Sequence, residues 1–140
     1  MISFKKIVTN LLISSISLSA NAQDAVIDAY KHGLDLLEKH KYVAASKQFS
    51  LVLAGDKEQE LNLLQENATF YHALCAQELG HTNAKNLLLA FVTNHPENIL
   101  SQQAYYQLGR TYFAKKEYAK TINWLTKTSA INLPPSLVLD

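Results

Sequence analysis

The stretch from Tyr105 to Leu125, YYQLGRTYFAKKEYAKTINWL, constrains this chain more than any other. Tyr105, Leu108 and Tyr112 fall at i, i+3 and i+7, one face of an α-helix, with Gly109 beside that stripe. Tyr118, Thr121, Ile122 and Leu125 share the face of a second helix. The polar join Lys115-Lys116-Glu117 is so short that the two helices must double back as an antiparallel pair. Such a hairpin leaves one side of each helix without a partner. It therefore requires similar neighbours.

The same landmarks recur. Gly109, Tyr118, Thr121 and Leu125 are spaced 9, 12 and 16 from the glycine; from Gly33 those spacings reach Tyr42, Ala45 and Phe49. From Cys75 they reach Ala84, Leu87 and Phe91, and the three origins lie 42 and then 34 residues apart. The pattern has an aromatic early in the first helix (Tyr71, Tyr105) and Leu before a small residue (Leu74-Cys75, Leu108-Gly109). An aromatic follows the turn (Tyr42, Tyr118), and Ala45 and Phe49 supply the small and large positions of a second helix. In these respects the chain resembles the tetratricopeptide-repeat family, whose period is 34 residues. The middle unit departs from the family pattern at Ala84, Leu87 and Glu78, where an aromatic, a small and an apolar residue are usual. The resemblance implies an all-α fold of tandem antiparallel helix hairpins stacked as a short α-solenoid, with repeats at about 26–59, 68–101 and 102–131.

Composition agrees with a folded helical chain. Of 140 residues, 48% are hydrophobic and 18% charged, a balance that excludes a disordered polyelectrolyte. Only four glycines and three prolines interrupt it, and no long run alternates with period 2. The formal charge of +1 gives no basic face of the kind a nucleic acid requires.

Residues 1–22 read as a signal peptide. Lys5 and Lys6 precede the mostly apolar stretch 7–18, and Ala20-Asn21-Ala22 ends in small residues suited to a signal peptidase. Twelve helical residues reach about 18 Å, short of a hydrocarbon core of about 30 Å. Export to the periplasm or the outer membrane is expected, with Gln23 as the mature N-terminus; an uncleaved anchor is the alternative. No cysteine follows the apolar stretch closely enough for a lipoprotein anchor. Loss of the leader removes two lysines and moves the charge to −1. The single cysteine, Cys75, occupies the small-residue position and is expected to pack rather than react.

In chain order, Asp24 is a candidate N-cap for a first helix to about Lys39, followed by a partner from Tyr42 to Ala54. Asp56 with Gln59 resembles a capping box for a long helix to Leu79, which would absorb the eight extra residues of the first interval. Gly80 suits a left-handed end to it. Thr82 or Asn83 then caps a helix to about Thr93, and His95-Pro96-Glu97 forms the turn into the third unit, whose last helix ends near Ala130. Asn132-Leu133-Pro134-Pro135 is a break, and 136–140 begins a further, truncated repeat. An array normally ends in a helix with a polar outer face, so self-association through an uncapped C-terminal repeat is expected.

Candidate chemistry is sparse. His72 and Cys75 lie one turn apart, which alone falls short of a closed metal site of about four ligands. No phosphate loop or nucleophile elbow occurs, so no cofactor and no enzyme activity is expected. The resemblance implies a protein- or peptide-binding scaffold of the cell envelope, similar to the N-terminal part of exported Bacteroidota-like tetratricopeptide proteins. Outer-membrane or envelope proteins are the implied partners. It places Tyr30, Leu34, Leu37, His72, Leu79, Tyr106, Arg110 and Phe113 on the concave face. Tyr106, Arg110 and Phe113 form one strip at i, i+4 and i+7. A small-ligand or metal-binding helical domain is the competing reading.

Overall fold

A computed structural model describes the backbone of residues 4–57 and 59–128, and side chains from residue 21 onward within that span. All regular structure among the described residues is helical. The order is α1 (Phe4–Glu38), α2 (Tyr42–Ala54), a 3₁₀ turn (Gln59–Leu61), α3 (Asn62–Glu78), α4 (Ala84–Asn94), α5 (Ser101–Ala114) and α6 (Tyr118–Leu125). Each helix packs on the next in the chain, and α1 also meets α3. No described helix is long and apolar enough to cross a membrane.

The spaced landmarks are contacts. At Gly33 an added Cβ would lie 2.8 Å from Phe49 Cε1, and at Gly109 it would lie 2.7 Å from Leu125 Cγ. The glycines are therefore places where α1 meets α2 and α5 meets α6 too closely for a side chain. Cys75 holds the same position in α3 and is fully buried, as are Ala45, Phe49 and Phe91. Two clusters result. One joins Val26, Ala45, Phe49, Val52, Leu61, Ala68 and Cys75; the other joins Phe70, Ala73, Leu88, Phe91, Val92, Leu100, Ala104 and Leu108. α3 contributes to both, so it sits at the centre of the packing.

The three hairpin turns share one hydrogen-bond pattern. His40 N donates to Leu37 O and Lys41 N to Leu36 O; Gly80 N donates to Gln77 O and His81 N to Ala76 O. Lys116 N likewise donates to Phe113 O and Glu117 N to Tyr112 O. These paired bonds close the helix end around a left-handed residue, with φ of 55° at His40, 71° at Gly80 and 60° at Lys116.

Several local expectations are corrected. α1 continues through Asp24, which therefore caps nothing. Asp56 and Gln59 do not cap α3, which starts only at Asn62 without a side-chain cap. The extra residues of the first interval form the 55–61 connection instead of a long helix. The Gln65 amide organises that connection, donating to the carbonyls of Val52 (3.3 Å), Gly55 (3.2 Å) and Asp56 (3.2 Å). Asn83 precedes α4 but makes no capping bond with its side chain. α6 ends at Leu125, earlier than expected; the end near Ala130 and the segment 132–140 lie outside the described residues.

Candidate functional site

The eight residues assigned to the concave face come from α1, α3 with its C-cap Leu79, and α5. These helices are brought together by polar contacts between them. Asn98, in the connection before α5, donates to Asn67 Oδ1 (3.0 Å) and Glu66 Oε2 (3.2 Å) of α3, and its own Oδ1 accepts from Leu100 N (2.9 Å). Gln77 of α3 donates to Gln107 Oε1 of α5 at 3.2 Å.

Tyr30, Leu34 and Leu37 of α1 are half-buried and pack against the first cluster. The Tyr30 ring stands edge-on to Phe49 (6.1 Å) and Tyr71 (6.2 Å), while Phe49 and Tyr71 stack at 5.4 Å. Burial raises the Tyr30 hydroxyl above its ordinary value against the opposing hydrogen bond with Asn67. Burial also pushes Tyr71 up to about 12, with Tyr30 adding to the effect. Three rings thus close the α1 end of the face, leaving little free aromatic surface there.

His72 of α3 and Leu79, the residue that caps its C-terminal end, are half-buried. Burial, then the charge of His81, holds the His72 imidazole below its ordinary value. The neighbouring Cys75 thiol is pushed up to about 11 by burial. That thiol stays protonated at neutral pH, and a protonated buried thiol is a poor metal ligand and nucleophile. Among the described residues no three His, Cys, Asp or Glu side chains gather in a way that could hold a metal ion.

The α5 strip is different. Tyr106 is half-buried, Arg110 is exposed, and Phe113 is 61% exposed with its ring edge-on to Tyr118 at 6.0 Å. Arg110 donates to Gln107 Oε1 at 3.1 Å and lies 3.9 Å from the Glu78 carboxylate. Glu78 was the residue that broke the apolar pattern of the middle unit. Its place opposite Arg110 gives that departure a physical reason. Gln77 and Gln107, which complete the network, carried no signal in the sequence because glutamine is ordinary on any helix.

Two open clefts flank the 55–61 connection. One, of about 290 Å³, is lined by Leu53, Lys57, Asn62, Gln65, Glu66, Thr69 and His95, with His95 Nδ1 3.5 Å from Glu66. The other, of about 280 Å³, lies between Ala22–Val26 and Ala54–Leu61. No family model, curated protein or solved structure matches the chain.

Proposed function

We propose that this chain is an exported scaffold of the tetratricopeptide type that binds a segment of a partner protein along the face of α1, α3 and α5. The repeated contact of a small residue with a large one sixteen positions later supports the repeat reading, at Gly33–Phe49 and again at Gly109–Leu125. The observation that carries binding is the α5 strip. A guanidinium steadied by Gln107 and Glu78 sits one turn from an exposed Phe113. Its geometry is set before any partner arrives, which lowers the ordering cost of association. Arg and aromatic residues also dominate binding hot spots. A protein segment that offers a carboxylate or carbonyl to Arg110 and an apolar side chain to Phe113 fits this surface.

The test uses the Arg110→Ala, Phe113→Ala double variant, whose side chains are both exposed enough to be removed without opening the core. Crosslinking to partners in envelope extract should fall about tenfold or more, on hot-spot magnitudes. The helical signal and thermal midpoint should stay close to the parent. Undiminished crosslinking would remove the proposed surface.

A further inference from the structure

The cleft of about 290 Å³ beside the 55–61 connection has a polar wall formed by α3. Gln65 is 9% exposed, and the open space it borders is this cleft. Its amide nitrogen donates to the carbonyls of Val52, Gly55 and Asp56, which fixes the amide, because a flipped oxygen would face three acceptors. Gln65 Oε1 takes no hydrogen bond from a described residue. Among the described residues the buried side-chain atom left without a partner is Gln77 Oε1. Gln65 Oε1 is therefore not sealed in, and it opens on the cleft.

Two more acceptors line the same wall. Glu66 Oε2 accepts from Asn98 at 3.2 Å and lies 3.5 Å from His95 Nδ1, whereas Glu66 Oε1 takes no hydrogen bond from a described residue. Thr69, one turn beyond Gln65, donates its hydroxyl proton to Gln65 O at 3.0 Å and keeps only lone pairs for a ligand. Across the cleft stand Leu53 and Lys57, both exposed, and Lys57 forms no ion pair with a described residue. The volume is near the lower end of the range for small-molecule sites.

We propose that this cleft binds a small zwitterion, a free α-amino acid with an aliphatic side chain. An ammonium group carries three donors and no acceptor, which matches Gln65 Oε1, Glu66 Oε1 and Thr69 Oγ1. The carboxylate lies toward Lys57, and the side chain lies along Leu53. A bare amine would add a second positive charge beside Lys57. A bare anion would meet Glu66 and find no proton on Gln65 or Thr69, since both have committed theirs. A metal ion is poorly served, because no three His, Cys, Asp or Glu side chains gather among the described residues. The three carbonyl contacts hold Gln65 in place before a ligand arrives, which lowers the ordering cost of binding.

The experiment follows the Gln65 side-chain amide and His95 ring signals by NMR in the full chain. L-leucine should shift both saturably. N-acetyl-L-leucine, which lacks the ammonium, and L-leucinamide, which lacks the carboxylate, should each bind about tenfold more weakly or worse. Glu66→Gln removes the charge and keeps an acceptor for Asn98; it should weaken L-leucine about tenfold with the helical signal unchanged. Lys57→Met, on the exposed connection, should weaken L-leucine about tenfold and leave L-leucinamide unaffected. Absence of a saturable shift, equal binding of the three compounds, or parental affinity for L-leucine in both variants would overturn the proposal. No residue of the α5 strip enters this site, so the result is independent of what that strip binds.

Discussion

Adding a methyl group at Gly109 would set a carbon 2.7 Å from Leu125 Cγ, inside van der Waals contact. On helix propensity alone, Gly109→Ala gains roughly 0.5–1 kcal/mol. The contact reverses that sign, so Gly109→Ala should destabilise by about 1–2 kcal/mol in a thermal melt, and Gly109→Leu by more. Shortening the neighbour, as Leu125→Ala, should cost less in the Gly109→Ala background than in the parent. Gly33→Ala should be the harsher of the two alanine variants, because Phe49 is fully buried and has less room to move than the partly exposed Leu125. Cys75 gives a pH-dependent counterpart. Its thiol lies near 11 in the fold, raised by burial from 9.0. The unfolded chain thus ionises first, so the stabilisation from this group is complete below pH 9 and is lost as pH rises toward 11 and beyond. The loss is on the order of 2 kcal/mol. Tyr71 adds a similar loss at higher pH, since it lies near 12. In Cys75→Ala the fall of the thermal midpoint between pH 9 and 11 should be shallower than in the parent; an identical fall would place its cause elsewhere.

The hairpin turns show what a sequence can and cannot disclose about an element. Gly80 was legible as a left-handed helix end because glycine adopts that conformation without a Cβ penalty. His40 and Lys116 hold the same place with side chains, and nothing in their identity announces it. Lys116→Gly should therefore raise stability by about 1 kcal/mol, the cost of left-handed backbone in a residue with a Cβ. At His40 the gain should be smaller, because its ring shares a hydrogen bond with the Tyr42 hydroxyl at 2.8 Å that glycine would forfeit. The connection 55–61 was misread for a related reason. Asp56 and Gln59 have the spacing of a cap, but the residue that organises the segment is Gln65, which sits inside α3 and reaches back to three carbonyls. A polar residue on a buried helix face looks in the sequence like a flaw in the pattern. Gln65→Ala should cost about 1–3 kcal/mol through those unmatched acceptors, and hydrogen exchange should quicken first in 55–61.

For the molecule as a whole, helical class was readable because periodic apolar residues report burial directly. The candidate site was readable only in part. Spacing identified Tyr106, Arg110 and Phe113 as one strip, yet the Gln77–Gln107 bond and the Glu78 partner depend on how α3 and α5 approach, which no local pattern encodes. Nor does periodicity distinguish Tyr30, engaged with two other rings, from an aromatic that is free to bind. The distribution of packing is uneven along the chain. α3 shares in both clusters, whereas Thr121 is the one buried residue of α6. Where burial is uneven, the element with the least buried apolar contact opens first. The protein carries a single tryptophan, Trp124, stacked on Tyr105 at 5.9 Å with the Lys127 ammonium 4.4 Å from its ring centroid. Its emission is thus a gauge of the α5–α6 hairpin alone. A denaturant titration followed by fluorescence should pass its midpoint before one followed by far-ultraviolet circular dichroism, so a stability taken from emission would describe one pair of helices and not the cores around α3.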